Sequence, residues 1–378
     1  MNFTFTEDQE LIRAMVREFA QAEIAPRSAH LDETGEFPAD TMQRLAELDL
    51  TGMPYPQIYG GAAADYVSYA IVIEEISRAC SSTGVILAVH TLAGIPIYQF
   101  GTEEQKQLWL PKLIGYQALG AFAITEPAAG SDAGSLQTTA VPAGDSYILN
   151  GTKTFITNGA EAGIFIVMAL TKTGIGTKGI SAFIVEKGTP GFTIGKHERK
   201  MGIRGSSTTE LIFANCRIPS ANRIGKEGDG FKIAMAALDG GRISISAQST
   251  GIAQACLDEA IAYSKERVQF NRPISSNQAI QWMLAEMAAD ISAGRLLTYK
   301  AAYLKQIGKP FTMEAAMAKL FASQMAVRCA TKAVQIHGGY GYIKDFKVER
   351  LYRDARILEI YEGTSEVQKM VIAGNLLR

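Results

Sequence analysis

Glycine and proline are distributed unevenly along the chain, and this distribution limits what the sequence can fold into. Residues 121–240 contain 18 of the 36 glycines, whereas only two of the 12 prolines, Pro273 and Pro310, lie beyond residue 220. Clustered glycine favours turns, and a stretch almost free of proline allows long helices. The sequence therefore predicts a turn-rich middle and a helical last third.

The first third is predicted to be α-helical. Thr6 precedes Glu7 and Asp8, and the apolar residues that follow recur at helical spacing. Further helical patterns cover about 66–78 and 84–100, and Thr102 precedes another acidic first turn.

Between residues 120 and 224 the pattern changes to short runs of β-forming residues separated by turns. Asn150-Gly151 is a strong hairpin signal. Because no helical pattern separates these runs, they favour an antiparallel barrel or sandwich over a parallel dinucleotide-binding sheet. The predicted strands are 121–125, 146–149, 154–157, 164–170, 180–186, 192–196 and 210–219.

From residue 230 onward, helical patterns of about 30, 30 and 25 residues, and a final one from Ser365, predict a four-helix bundle. The expected fold class is a multidomain α+β protein. Its domains are an N-terminal α-helical domain (1–120), a middle antiparallel β-barrel or sandwich domain (121–230) and a C-terminal four-helix bundle (231–378).

Composition argues against several classes of function. The formal net charge of -1 offers no general attraction for nucleic acid. No run of 18 to 20 consecutive apolar residues predicts membrane insertion, and the first residues show no charged-then-apolar leader, so a cytoplasmic protein is expected. The cysteines and histidines are dispersed, and no metal site is predicted. The dispersed cysteines are Cys80, Cys216, Cys256 and Cys329.

Common short catalytic and nucleotide motifs are missing. Gly339-Tyr340-Gly341 lacks the third glycine and the βαβ setting of a dinucleotide fingerprint. Neither a phosphate-binding Gly-x-x-x-x-Gly-Lys loop nor a Gly-x-Ser-x-Gly elbow occurs. An enzyme with this sequence must therefore use a cofactor or side chain that has no short universal motif.

Four segments nevertheless combine residue types suited to a site. The loop 123–132 holds hydrogen-bonding side chains with Pro and Gly, which fits either a ligand loop or a capped turn. Gly240-Gly241 interrupts a helical pattern at a cost of roughly 1 kcal/mol per glycine, which indicates close approach by a helix or a ligand. Segment 335–342 has three glycines in four positions, more than a helix end needs.

The fourth segment is 360–368. Thr364 or Ser365 is suited to cap the final helix. Glu362 lies between Tyr361 and Gly363 in an apolar context, where desolvation can raise the pKa of a carboxyl group towards that of a general base.

Together these features resemble the acyl-CoA dehydrogenase family over essentially the whole chain. Residues 123–135 match its pattern of Thr-Glu followed by small-Gly-Ser-Asp. Residues 335–354 match its pattern of Gln, Gly-Gly-x-Gly, Asp345, Arg350 and Asp354.

The resemblance implies a tightly bound FAD between the middle domain and the bundle, with an acyl-CoA thioester stacked against the flavin. Some FAD contacts would come from a neighbouring subunit, so it also implies a homo-oligomer, most often a homotetramer. The implied FAD-binding residues are Phe122, Ile124, Thr125, Gly130, Ser131, Phe155, Thr157, Arg267, Phe270, Gln278, Gln335, Gly339, Thr364 and Glu366, of which Gln335 and Gly339 would come from the neighbour. The implied substrate-binding residues are Ser131, Asp239, Arg242, Tyr361 and Gly363.

By the same resemblance Glu362 is the catalytic base. It takes the α-proton while hydride leaves the β-carbon for flavin N5, giving a trans-2-enoyl-CoA, and the electrons pass to an electron-transferring flavoprotein. Some relatives carry their glutamate at the position of Gly241. Segments 82–89 and 100–106 are similar to short-chain, butyryl-type members, and no arginine lies near Gly84 to hold a dicarboxylic substrate.

Three other functions remain open at this point. An enoyl-CoA reductase of the same fold works in the reverse direction within an electron-bifurcating complex. An acyl-CoA oxidase is usually a longer chain. A noncatalytic FAD-binding protein would lack the base, and Glu362 is the residue that discriminates against it.

Overall fold

The computed structural model describes residues 4–377. Met1–Phe3 and Arg378 lie outside the described residues, and the expectation of no N-terminal leader concerns that excluded segment in part. Helices cover residues 7–114, strands occupy 120–224, and helices return from 230 to 376. The predicted helical, β and helical order is confirmed.

Local capping chemistry sets where the first helices begin. Thr6 Oγ1 accepts from the backbone N–H of Gln9 at 3.2 Å, and Gln9 Oε1 accepts from that of Thr6 at 3.0 Å. Thr102 and Gln105 form the same reciprocal pair before a later helix. The helices are α1 (Glu7–Phe19), α2 (Ser28–Thr34), α3 (Ala39–Glu47), α4 (Tyr66–Ala79), α5 (Ser81–Phe100) and α6 (Glu103–Ile114).

Helix α5 is almost entirely apolar. Within the described residues it is the one helix with the length and mean hydropathy, 1.3 over 18 residues, to cross a membrane. No such segment was expected from the sequence, because hydroxyl residues and His90 interrupt the apolar run. Of this window 83% is buried in the protein, against α4 and the first helix of the last third. Such burial is that of a core helix.

The middle region is one mostly antiparallel sheet in the order β6-β7-β3-β2-β4-β5-β8. Two pairings are parallel: β1 lies beside β4, and β2 meets β4 at Thr139 and Leu170. The strands are β1 (Gly120–Ala123), β2 (Thr139–Ala143), β3 (Ser146–Thr157), β4 (Ile164–Leu170), β5 (Ile180–Glu186), β6 (Phe192–His197), β7 (Thr208–Pro219) and β8 (Arg223–Ile224).

The prediction of a hairpin at Asn150-Gly151 is wrong. These residues lie inside the continuous strand β3, at a register shift opposite β7. Asn150 Oδ1 accepts from the backbone N–H of Asn215 at 2.7 Å, and Asn215 has a left-handed φ of 53°. The pair therefore marks a β-bulge. The hairpin that enters β3 turns instead at Gly144-Asp145, after strand β2, which the sequence pattern did not reveal.

Alternate side chains of β4 serve two different cores. Ile164, Ile166 and Met168 pack with residues of α5 and α6, whereas Phe165 and Val167 pack within the sheet region. This period of two is the pattern of a sheet buried on both faces. One face of the sheet therefore lies directly on the N-terminal helices.

The last region contains three long helices and two short ones. Helices α7, α8 and α9 contact one another, α11 packs on α9, and α10 packs on both α7 and α9. The elements are α7 (Gly230–Glu266), a two-stranded ribbon of β9 (Val268–Gln269) and β10 (Arg272–Pro273), α8 (Gln278–Gln306), α9 (Thr312–His337), α10 (Lys347–Arg356) and α11 (Ser365–Leu376).

Charged side chains tie the regions together. Arg353 pairs with Asp32 at 2.6 Å, and Arg350 donates to Ser28 Oγ at 2.9 Å. Asp354 is buried and accepts from the backbone N–H of Ile203, in the loop between β6 and β7. Burial raises the pKa of Asp354 to about 6. Arg350 and Asp354, quoted above for the family pattern, thus connect α10 to the rest of the chain.

Candidate active site

Glu362 occupies a left-handed turn just before α11. Its φ is 53°, and the φ of Gly363 is 88°. A Cβ on Gly363 would lie 2.7 Å from Gln368 Nε2, so glycine is required there both for its backbone and for space. Thr364 caps α11, because its Oγ1 accepts from the backbone N–H of Val367 at 3.3 Å. The choice between Thr364 and Ser365 as the cap is thereby settled.

Of the paired glycines of α7, Gly241 lies against this turn. A Cβ on Gly241 would come 2.7 Å from Glu362 Oε2 and 3.4 Å from Leu92 of α5. A Cβ on Gly240 would collide with the amine of Lys305. The close approach predicted for these glycines is therefore made by charged side chains rather than by a helix backbone.

Glu362 is half-buried, and one of its two carboxyl oxygens is fully buried. Its Oε2 has no hydrogen-bond partner. Burial raises the pKa of Glu362 to about 7, and the positive charges of Arg242 and Lys319 oppose that rise. A carboxyl group with this pKa exchanges protons near neutral pH, as a general base must.

Arg242, on α7, lies close enough to the Glu362 carboxyl group for its charge to act on it, and Asp239 lies about one turn before Arg242. Arg242 is buried and donates to Asp239 Oδ1 at 2.5 Å, while Asp239 Oδ2 accepts from Thr312 Oγ1 at 2.6 Å. Arg242 Nε has no partner. Tyr361 donates to Gln248 Oε1, and Gln248 Nε2 donates to Ser81. The structure thus gathers Glu362, Asp239 and Arg242 from segments more than 100 residues apart.

The loop after β1 is fixed by an ion pair that the sequence did not reveal. Lys153 Nζ, fully buried on β3, donates to Glu126 Oε1 at 2.6 Å and to the carbonyl of Ile124 at 3.0 Å. The Glu126 carboxylate also accepts from the backbone N–H groups of Gln137 and Thr138, at 2.5 and 3.0 Å. Glu126 therefore shapes the loop, and a lysine at an inward position of a strand was the available signal.

Not all of the residues predicted to face the flavin lie at the surface around the loop after β1. Thr154 N–H donates to the carbonyl of Thr125 at 2.9 Å, which sets the loop beside β3. On β3, Phe155 is 63% exposed with a left-handed φ of 57°, at a register shift opposite β7. Gly130 and Ser131 are exposed, whereas Phe122 is buried in the core beneath the loop.

The residues expected at the pyrophosphate and adenosine lie at the far end of α7. A hollow of about 510 Å³ is lined by Arg267, Gly338, Gly339 and Tyr340, among others. The Arg267 guanidinium lies 5.3 Å from the centroid of the Tyr340 ring. Three further predicted residues are exposed outside this hollow: Phe270, Gln278 and Gln335.

Arg267 and Gly339 line one hollow of a single chain. That Gly339 contacts the FAD of a neighbouring subunit stays a prediction. Glu366 is exposed on the first turn of α11.

These residues fit a bound FAD and an acyl-CoA. A Cβ at Gly130 or at Gly339 would meet nothing within 4 Å, so both backbones are open to a ligand. Phe155 offers an uncovered aromatic face, and Arg267 offers the planar donor fork suited to a pyrophosphate. The unpartnered Glu362 Oε2 supplies a proton acceptor. Among residues 4–377, no group of three or more His, Cys, Asp or Glu side chains is arranged to hold a metal ion.

Comparisons with known proteins agree with this geometry. Family models described as the N-terminal, middle and C-terminal domains of acyl-CoA dehydrogenase match residues 6–117, 121–216 and 228–377. This chain belongs to the acyl-CoA dehydrogenase family, a family of flavoprotein enzymes. The resemblance read from residues 123–135 and 335–354 is confirmed.

Individual relatives cover the full length. A short-chain specific acyl-CoA dehydrogenase of Clostridium acetobutylicum is 54% identical over 100% of both chains. An NADH-dependent acryloyl-CoA reductase of Anaerotignum propionicum is 50% identical over 100% of this chain and 96% of its own.

Two solved structures superpose closely, each over 100% of both chains. The butyryl-CoA dehydrogenase of Megasphaera elsdenii has a TM-score of 0.98 at 47% identity. A structure from work on the electron transferring flavoprotein of Acidaminococcus fermentans and flavin-based electron bifurcation has a TM-score of 0.99 at 50% identity.

Proposed function

We propose that this protein is an FAD-dependent short-chain acyl-CoA dehydrogenase in which Glu362 removes the α-proton of the thioester. The observation that carries the proposal is the buried, unpartnered Glu362 Oε2 above Gly241. A carboxylate without a hydrogen-bond donor keeps its basicity, and the glycine leaves room for the carboxyl group itself.

The chain also supplies a donor for the carbonyl oxygen. Within residues 4–377 the backbone N–H of Glu362 has no acceptor. Such an N–H can stabilise the negative charge that develops on a thioester oxygen as the α-proton leaves. Bound FAD would supply the acceptor for the hydride that leaves the β-carbon. The neighbouring Arg242 and Lys319 hold positive charge beside Glu362 and favour its carboxylate form before proton transfer.

Short acyl groups are the proposed substrates. Two relatives that match over the full length are named for short-chain and butyryl substrates. Gly84 has no room for a side chain, since a Cβ there would lie 3.1 Å from Ser77 Cβ. An arginine for a distal carboxylate therefore cannot be placed at this position without moving α4.

Anaerobic titration with a series of acyl-CoAs, followed by bleaching of the flavin, tests the proposal. Butyryl-CoA or a near neighbour in length is expected to bleach fastest, and denaturation is expected to release FAD at about one equivalent per chain. Release of FMN, or faster bleaching by glutaryl-CoA or by chains of twelve or more carbons, would contradict it.

Electron-transferring flavoprotein is the proposed partner, and the proposed assembly is a homotetramer in the cytoplasm. Large exposed apolar side chains near the Arg267 hollow, including Phe270 at 95% exposure, support pairing of subunits there. Sedimentation of the holoenzyme measures the assembly, and reoxidation of the reduced flavin by purified electron-transferring flavoprotein measures the partner.

An enoyl-CoA reductase is a second candidate, favoured by the acryloyl-CoA reductase relative and the bifurcation-related structure. With a pKa of about 7, Glu362 can deliver a proton as readily as it accepts one. Reduction of crotonyl-CoA by NADH through electron-transferring flavoprotein, faster than butyryl-CoA oxidation under the same conditions, would favour this direction.

A further inference from the structure

Lys319 is a buried lysine close to Glu362, and no pattern in the sequence singled it out. It lies on α9 with no exposed surface, amid alanines. Burying an ammonium group is costly unless it is hydrogen-bonded. Its Nζ donates to the carbonyl of Gly363 at 2.7 Å, next to Glu362.

The turn that carries Glu362 is held by two side chains from different helices. Lys319 reaches it from α9. Gln368, fully buried on α11, donates through Nε2 to the carbonyls of Glu362 and Gly363 at 3.2 and 2.8 Å. A non-glycine residue with left-handed φ is unfavourable and persists only where its surroundings impose it. The three side-chain hydrogen bonds from Lys319 and Gln368 hold the turn in this left-handed conformation.

Lys319 also differs electrostatically from the other cation near Glu362. Arg242 approaches from α7, but its charge is paired with Asp239. Among the described residues, no carboxylate lies within 4.0 Å of Lys319 Nζ. Lys319 is therefore the cation whose charge is not already neutralised by a partner.

Two phenols lie near Glu362, and the carboxylates of Glu359 and Glu366 act on Lys319 and favour its charged form. Tyr69 faces Glu362 from α4, and Tyr361 precedes it in the chain; both hydroxyls have pKa values raised by burial and by the Glu362 charge. Neither is ionised near neutral pH. The pKa of Lys319 is lowered to about 8 by burial, so its ammonium form predominates near pH 7, where Glu362 titrates.

We propose that Lys319 is the positioning residue of Glu362: it holds the left-handed turn through Gly363, and its ammonium charge favours the ionised form of the neighbouring carboxyl group. Gln368 also holds the turn, but its neutral amide does not act electrostatically on the carboxyl group. This inference rests on the proposed role of Glu362 as the base.

The experiment isolates proton removal from hydride transfer. Acetyl-CoA has α-hydrogens but no β-carbon, so it cannot be dehydrogenated. In D2O the holoenzyme is expected to catalyse exchange of the methyl hydrogens of acetyl-CoA for deuterium. Mass spectrometry measures the exchange rate between pH 5.5 and 9. In the wild type, the rate should rise through a limb near pH 7 as Glu362 loses its proton.

Lys319→Gln keeps an N–H donor and removes the charge, whereas Lys319→Met removes both. Both variants are expected to move the limb to higher pH by about one unit or more, since an opposite charge at close range shifts a pKa by that order. Lys319→Met should also lower the plateau at high pH. Gln368→Met should lower the plateau without moving the limb.

Lys332→Met is the matched control. Lys332 lies on the outer face of the same helix and pairs with Glu286, so its exchange profile should equal that of the wild type. Flavin content and thermal melting identify any variant that does not fold, and Lys319→Gln preserves the test if Lys319→Met fails.

An unmoved limb in both Lys319 variants would overturn the electrostatic role. An equal shift in Gln368→Met would overturn the division of tasks between the two residues. Exchange that survives Glu362→Gln would instead refute the base itself, so failure of the inference is distinguishable from failure of the proposed function.

Discussion

Glu362 and Phe155 share an uncommon property, because both have left-handed φ angles, 53° and 57°. A side chain in this region costs of the order of 1 kcal/mol or more and is often retained where function requires it. One residue presents a carboxylate and the other an exposed ring. The left-handed backbone conformation of each residue sets the direction in which its side chain leaves the backbone.

Glu362→Gln is expected to abolish flavin reduction while the flavin remains bound. The amide keeps the shape of the side chain but cannot accept a proton, and general-base catalysis contributes a factor of about 10² to 10⁴. Stopped-flow bleaching with butyryl-CoA measures the loss. Retention of more than about a tenth of the wild-type rate would place the base elsewhere.

The structure also determines how a relocated base should be tested. A side chain at Gly241 would enter the space of Glu362 Oε2, so Gly241→Glu belongs in a Glu362→Ala background, where that space is empty. Partial rescue is expected there, and Gly241→Gln in the same background is the matched control that should give none.

Phe155→Gly is expected to stabilise the flavin-free protein and to weaken flavin binding. Glycine relieves the left-handed strain, by about 1 kcal/mol, but removes the exposed ring. Melting of the apoprotein and fluorescence titration with FAD measure the two effects. Phe155→Trp should retain affinity. Unchanged affinity in Phe155→Gly would show that this ring does not cover the flavin.

At the scale of elements, the loop between β1 and β2 depends on the buried pair of Lys153 and Glu126. Glu126→Ala leaves the buried Lys153 amine without its carboxylate partner, and breaking a buried ion pair in this way typically costs about 3–5 kcal/mol. Urea unfolding measures the change. Adding Lys153→Met to Glu126→Gln should recover part of the loss that Glu126→Gln causes.

A surface pair provides the control for this loss. Lys196, on β6, pairs with Glu198 at 2.8 Å but is 67% exposed, so Glu198→Ala should cost less than about 1 kcal/mol. Equal losses in Glu126→Ala and Glu198→Ala would mean that burial of the first pair is not what stabilises the loop.

Local patterns explain which elements could be predicted. The strands at 164–170 and 180–186 coincide with the predicted runs, because each is a continuous β-forming segment bounded by turns. Strand β2 was missed because Thr139–Ala143 contains Pro142 and lacks a β-forming run. Asn150-Gly151 was misread because a bulge and a hairpin use the same residue types.

The candidate site divides in a similar way. Glu362 and Arg242 stand in segments with distinctive local composition, so they could be singled out from the sequence. Lys319 and Lys153 were not singled out, because the role of each depends on a partner 44 or 27 residues away. That pairing exists only once the helices and strands have packed. The inward strand position of Lys153 was the local signal available for it.

At the scale of the whole molecule, Lys305 affects the balance between folded and unfolded states. Its Nζ is buried without a hydrogen-bond partner, 4.0 Å from the centroid of the Tyr66 ring. Burial lowers the pKa of Lys305 to about 7 from 10.5. Because the folded state binds this proton less readily, the penalty is complete below about pH 7 and fades as the pH rises towards 10.5.

Lys305→Met is therefore expected to stabilise the protein more at pH 6 than at pH 9, by about 3 kcal/mol. Chemical denaturation of both proteins at the two pH values measures the difference. Lys309, exposed shortly after the same helix, provides the control Lys309→Met. A gain independent of pH would show that Lys305 is already satisfied in the folded state.

The burial of α5 has a consequence for synthesis of the chain. Its apolar residues are covered partly by α7, which ends at Glu266, about 165 residues after Phe100. At about 5–20 residues per second, the ribosome needs roughly 10–30 s to synthesise the residues between α5 and the end of α7. During this interval the nascent chain presents a segment as hydrophobic as a membrane anchor, so a chaperone that shields residues 81–100 would act on this protein before its flavin site exists.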